Sequence, residues 1–308
     1  MMHTAALLLA LLPSSSALQE KPASANSTPA QAATLVEERA PIPGAVVFLH
    51  DNGLRAREGL LVDGRRSGLW RGWHKNGKLA YEGSFRDYQR VGHWTYWSES
   101  GNKLEEGEWK DGLRHGPWTF HHPDGSVKGR GSFERGLRQG RFEFFSPDGV
   151  MTSTGDYCFE TKCGEWTNYE AGRVLAKGPM DRDTEHGVWT RFHPDGAKLF
   201  EGRFDRGRED GQWTRWHKNG REQAKGEYRL GRMIGDWTGW HDNGQRDYAG
   251  RFEDGQETGM WTYWWPNGQK KSEGSFVAGK REGPWRVWNE DGSLNAELSG
   301  VYQKGRKQ

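Results

Sequence analysis

GLWRGWHKNGKLAYEGSFRDYQRV, residues 68–91, runs directly into GHWTYWSESGNKLEEGEWKDGLRH, residues 92–115. Laid one over the other, Gly68 falls on Gly92, Trp70 on Trp94, Trp73 on Trp97, Gly77 on Gly101 and Gly83 on Gly107. The match extends in both directions. A G-x-[W/F] aromatic recurs at Trp70, Trp94, Trp118, Phe142, Trp166, Trp189, Trp213, Trp237, Trp261 and Trp285, every step 24 residues except the 23 from Trp166 to Trp189. A turn glycine, usually after Asn or Asp, runs in phase from Gly53 to Gly292, and a third glycine, often after Glu, from Gly59 to Gly274. Self-similarity at a fixed period of this size marks stacked supersecondary units, because no single unit can bury its own apolar face.

Within residues 68–91 the pattern predicts two strands and two turns. Gly68 to His74 is one strand, Leu79 to Arg86 the other, and Asp87 to Val91 the return turn. Between the strands, Lys75-Asn76-Gly77 reads as an Asn-Gly hairpin turn with both central residues at positive φ. Thr follows the key Trp at positions 95, 119, 167, 190, 214, 238 and 262, a β-branched residue suited to a strand. No apolar 3.6-residue period persists beyond a turn. The expected fold is all-β: tandem 24-residue hairpins stacked into an elongated, twisted, single antiparallel sheet. Twenty-two strands would give it a length of roughly 100 Å. An aromatic on one strand would lie over a glycine on the next. The first-strand rings stand three apart (Trp94 and Trp97, Trp213 and Trp216), which alternation puts on opposite faces. Either a bulge brings them together or both faces carry rings.

Composition agrees with a thin structure. Only 33% of the 308 residues are hydrophobic, yet there are 17 Trp and 44 Gly. That is too few aliphatics for a thick two-layer core and too many aromatics for disorder. Net charge is +2, with Lys and Arg dispersed among acidic residues inside every unit, so no footprint for nucleic acid exists. Residues 1–17 read as a signal peptide: Ala5 to Leu12 form a short apolar run and Ser15-Ser16-Ala17 a small-residue cleavage site, although only the amino terminus and His3 supply positive charge. The run is too short to span a bilayer. Residues 18–41, rich in Ala, Ser, Pro and Gln, read as a flexible linker, 42–303 as the array of about eleven units, and 304–308 as a basic tail. Val46, Val47, Phe48 and Leu49 make the first unit aliphatic, as a cap would be.

The Glu-Gly-x-aromatic step, Asp-Gly return turn and Gly-x-Trp of residues 104–118 resemble the MORN (membrane occupation and recognition nexus) repeat. Trp-x-x-Trp-x-x-Asn-Gly, as in Trp213 to Gly220, is similar to its bacterial variant. The resemblance covers about residues 44–302. It implies a stacked-hairpin fold and a role among protein-interaction scaffolds, lipid-associated modules or antitoxin-like proteins. An export signal fits poorly with an antitoxin that meets its toxin in the cytoplasm, and the missing basic cluster weighs against membrane lipid.

Candidate chemistry is sparse. Cys158 and Cys163 flank a return turn, where the strand ends bring Cβ atoms close enough for a disulfide, the alternative being two free thiols. His50, His74, His122, His193, His217 and His241 recur at one turn position. Equivalent residues lie two strands apart, about 10 Å, too far to share a metal, so they read as polar turn residues. Glu58, Glu82, Glu106, Glu201 and Glu273 likewise form a ladder, and a residue repeated in every few units reads as scaffold rather than a catalytic pair. No catalytic, cofactor or metal site is expected. The surplus aromatics Trp73, Trp97, Trp216, Trp240, Trp264, Trp265 and Trp288 are the candidate binding face. The expected function is a non-catalytic, exported scaffold, periplasmic or extracellular, that binds another protein. A carbohydrate or cell-wall polysaccharide module is the alternative.

Overall fold

The computed structural model describes residues 40–308. The expected signal peptide, and all of the expected linker but Ala40 and Pro41, lie outside the described residues. Among the described residues there is no helix, and 24 strands form one antiparallel sheet. The first six are β1 (Val46–Leu49), β2 (Arg55–Val62), β3 (Arg65–Trp73), β4 (Leu79–Arg86), β5 (Gln89–Trp97) and β6 (Lys103–Lys110). Neighbours in this series pair antiparallel, and the sheet stays open at both ends.

The glycines and tryptophans of the repeat explain one another. Trp70 on β3 faces Gly59 on β2 and Gly83 on β4, and Gly83 in turn faces Trp94 on β5. A Cβ on Gly83 would stand 2.1 Å from the Trp94 ring, so only glycine lets the indole lie flat on the neighbouring backbone. Past Gly83 the register slips: Ser84 faces Val91, and Gly92 and His93 are left over as a bulge with Gly92 at φ 68°. The freed Ser84 carbonyl accepts the Trp94 Nε1–H at 3.1 Å. The same bond, ten residues back along the chain, is made by Trp70, Trp118, Trp166, Trp189, Trp213, Trp237, Trp261 and Trp285. Each indole is thus buried with its one polar group satisfied.

A ring two residues beyond the glycine completes the core. Phe85 stands edge-on between Trp70 and Trp94, with centroids at 6.2 and 5.0 Å. Phe133, Tyr157, Phe204, Tyr228, Phe252 and Phe276 repeat the arrangement. Guanidinium groups close the surface: Arg90 lies 4.7 Å over Trp109, Arg114 4.3 Å over Trp118, and Arg138 4.0 Å over Tyr157. The core is therefore one layer of rings on one face of one sheet.

The two turns of the unit exchange the roles expected of them. The return turns are two-residue connections with both residues at positive φ, as at Asp63 (48°) and Gly64 (74°), or Asp87 (49°) and Tyr88 (66°). These are type I′ turns, whose twist matches that of the strands. In the Asn-Gly turn only Gly77 has positive φ, because the loop is longer. Gly77 N–H bonds to His74 O and His74 N–H to Lys78 O, while the Asn76 side chain accepts from Lys78 N–H. The asparagine therefore acts through its side chain, not through a left-handed backbone.

The short unit resolves as a changed turn. Thr161–Glu170 and Arg173–Asp181 are joined by Ala171 (φ 48°) and Gly172 (φ 75°) alone, a type I′ turn in place of the longer loop. At the far end, residues 304–308 do not trail away as a tail. Lys304 and Gly305 turn the chain so that Arg306–Lys307 pairs with Gly300–Gln303.

Candidate functional site

The two faces of the sheet differ. Trp94 and Tyr96 stack on the core face, with centroids 5.7 Å apart. Trp97, next along the strand, points to the opposite face, because the extra residue of the adjoining bulge, Leu104, sits on β6 and leaves the alternation of β5 intact. Both faces carry rings, and the spacing of three is not drawn together by a bulge.

The opposite face is polar and aromatic together. Its central row is Trp73, Trp97, His121, Phe145, Tyr169, Phe192, Trp216, Trp240, Trp264 and Trp288, every one half-buried. Facing them across the hairpin stand Leu79, Lys103, Val127, Met151, Val174, Lys198, Glu222, Arg246, Lys270 and Leu294. Lys198 Nζ lies 5.2 Å over Trp216, and the Arg246 guanidinium 5.9 Å over Trp264. Alongside runs the Thr and Glu ladder. Thr190 Oγ1 donates to Glu201, which also takes Lys198 Nζ at 2.8 Å, and that lysine bond holds the Glu201 carboxyl below its usual range. Lys103 to Glu106 and Lys270 to Glu273 repeat the pairing at 2.8 and 2.6 Å. Glu58, fully buried, lies between Arg55 and Arg71 at 3.3 and 3.5 Å. These carboxylates are tied to cations of the sheet itself.

Trp265 belongs elsewhere than the other six candidate tryptophans. It stands at the turn position held by histidine in other units. His50, His74, His122, His193, His217 and His241 each present Nε2 to the carbonyl of the row aromatic one unit on, at 2.7–3.4 Å. A carbonyl only accepts, so Nε2 carries the hydrogen. Trp265 Nε1–H makes the same bond to Trp288 O at 3.2 Å. The turn histidines are thus ties between successive hairpins, a role their periodicity announced without naming the partner. Asn76, Asn219 and Asn243 add a parallel set of ties, each donating Nδ2 to a carbonyl of the next turn.

Cys158 and Cys163 are joined by a disulfide, with Cα atoms 5.8 Å apart, across the return turn Phe159-Glu160. Among the described residues no group of three or more His, Cys, Asp or Glu converges as metal ligands would.

Beside Ala224 lies a cavity that the repeat pattern did not announce. Phe200 packs on Trp213 and Tyr248 on Trp261, at 5.0 and 5.9 Å. Midway between them in sequence, Ala224 occupies the same place beside Trp237. Ala224 faces Arg215 on one side and Gly239 on the other, and the Tyr248 ring covers Gly239. The cavity has a volume of about 460 Å³ and is lined by Arg215, His217, Gln223, Ala224, Trp240, His241, Asp242, Asp247 and Tyr248. The signal was legible as a small residue in a register that carries rings one unit to either side.

Comparison with known proteins bears on the repeat. A family model described as the MORN repeat variant matches residues 66–87, 90–111, 114–135 and 257–278, each span running from one return turn to the next. The chain is a MORN-repeat protein. No curated protein matches its sequence. Among solved structures, the MORN-repeat chain is aligned to the TcdB2-TccC3-TEV crystal structure over 84% of its own length and 16% of that chain, with 10% identity and a TM-score of 0.20. The Tc holotoxin pore of Photorhabdus luminescens gives 85%, 16%, 10% and 0.17 in the same order. The MORN-repeat chain thus spans about 16% of the length of these structures, and at such TM-scores the likeness carries no argument.

Proposed function

We propose that the protein is a non-catalytic scaffold working outside the cytoplasm, which binds another protein along the face opposite its tryptophan-on-glycine core. One observation carries this reading. The core face closes over itself with rings and guanidinium groups, whereas the opposite face leaves a row of large half-buried rings, two strands apart, with no second layer over them among the described residues. Exposed aromatic rows rimmed by charge mark interaction surfaces, and a repeated row offers the same contact many times along an extended partner. The ladder carboxylates are spent on structural ion pairs, which supports a binding rather than a catalytic role. The Cys158–Cys163 disulfide supports an oxidising compartment.

The test is cross-linking of the purified array to protein from the envelope fraction, comparing the native chain with a Trp216→Ser and Trp264→Ser double variant. Capture should fall at least tenfold in the variant and stay unchanged when Leu113, on a return-turn edge, is replaced by Ser. Equal capture by both would remove the face from consideration. Sedimentation of the native chain with cell-wall polysaccharide, lost in the same double variant, would transfer the face to the carbohydrate reading.

A further inference from the structure

We infer that the cavity over Ala224 is a binding pocket for one neutral pyranose unit of a glycan. Tyr248 supplies aromatic surface, while Asp242 and Asp247 supply carboxylates, Arg215 a guanidinium, and Gln223 an amide. The His217 and His241 rings are already engaged through Nε2 with the carbonyls of Trp240 and Trp264, at 2.7 and 3.0 Å, so they hold the walls in place. Asp247 reaches His241 at 3.5 Å, whereas the side chains of Arg215, Gln223 and Asp242 make no hydrogen bond or ion pair among the described residues. Three planar polar groups are therefore gathered around an unfilled space and left with their hydrogen-bonding capacity unused.

The mixture of signs selects the ligand. An anion would meet two carboxylates, and a cation would meet the Arg215 guanidinium. A purely apolar group would strand donors and acceptors in contact with it. A neutral sugar avoids all three penalties. Each hydroxyl both donates and accepts, so one ring can bond carboxylate, amide and guanidinium together. Its C–H face can lie on an aromatic side chain. The size lies within the range of small-ligand pockets, about 300–1,000 Å³.

The pocket stands apart from the scaffold reading. Failure of either leaves the other in place, because the cross-linking variants at Trp216 and Trp264 do not line the cavity. The experiment is ligand-observed saturation-transfer NMR with the full chain and a panel of glucose, galactose, mannose, N-acetylglucosamine and their β-1,4 disaccharides. Tetramethylammonium and acetate serve as charged probes. At least one neutral sugar should give a saturable signal with Kd on the order of 1 mM. Ala224→Phe restores the ring that the units on either side possess and should weaken that binding at least tenfold with an unchanged melting curve. Asp247→Asn keeps the shape, and should weaken binding several-fold, which tests the pocket even if Ala224→Phe perturbs folding. No saturable signal from any sugar would overturn the proposal. So would undiminished binding by both variants, or saturable binding of either charged probe in place of the sugars.

Discussion

Gly202 and Trp213 show what a single residue contributes here. Trp213 is 4% exposed, lies flat on Gly202, and donates Nε1–H to Arg203 O at 3.0 Å. Trp213→Ala removes the ring and its bond together, and should cost about 3–5 kcal/mol in a denaturant melt. Gly202→Ala attacks the same contact from the other side. Its Cβ would stand 2.1 Å from the ring, and the expected loss is about 1–3 kcal/mol, the usual cost of overpacking. A loss near zero in Gly202→Ala would show that the ring tolerates displacement, and one near zero in Trp213→Ala that the ring adds no stability. Phe142 provides the complementary case. It alone in the row lacks an N–H, so the carbonyl ten residues back, on Ser132, is without the indole bond that every other unit makes. Phe142→Trp should be neutral or stabilising by about 1 kcal/mol, readable as a rise in denaturation midpoint. These glycines were legible in the sequence because no other residue tolerates the close approach of the indole. The Ala224 gap went unread because an alanine in a strand carries no alarm until its neighbours in the register are known.

The element that matters is the hairpin, and its two turns do different work. Return turns fix strand twist through two left-handed residues, while the longer turns fasten one hairpin to the next through His and Asn side chains. The sequence revealed where both turns fall, since glycine marks each. It did not reveal which was the tighter, because Asn-Gly suits a type I′ turn in isolation and only the inter-hairpin bonds favour the longer form. Nor did it reveal the face of Trp97, which depends on whether the bulge sits on β5 or β6. One return turn is cross-linked. Replacing both Cys158 and Cys163 with Ser releases a short loop, and should lower stability by about 2 kcal/mol without altering the far-UV spectrum. An unchanged melt under reducing conditions would show the turn to be held by its neighbours alone.

Across the whole array, stability is a sum over like units and the interfaces between them. Several phenols lie inside that sum. Burial pushes the Tyr96 and Tyr248 hydroxyls up to about 12, and Tyr263, which is also faced by Glu257, is raised further in the same direction. A folded-state value above the ordinary 10 means the native array holds its phenol protons more firmly than the unfolded chain does. That stabilisation is complete below about pH 10 and is lost as pH rises from 10 towards 12. Midpoints of thermal unfolding should therefore be flat across neutral pH as far as these groups are concerned and fall steeply in that alkaline window. A midpoint unaffected between pH 10 and 12 would contradict the burial of these rings.

The column of rings also governs how the molecule handles light. From Trp213 through Tyr228, Trp237, Phe252, Trp261 and Phe276 to Trp285, successive centroids lie 4.9–6.1 Å apart, with an indole at every second strand. At the strand spacing successive indoles stand about 10 Å apart, close enough for excitation to pass between neighbours. A photon absorbed at one place in the array need not be emitted there, and its polarisation turns with the twist of the sheet at each step. In a viscous medium the intact protein should show lower emission anisotropy than a single indole does, and denaturation should remove the difference, making depolarisation an optical gauge of whether the stack is whole.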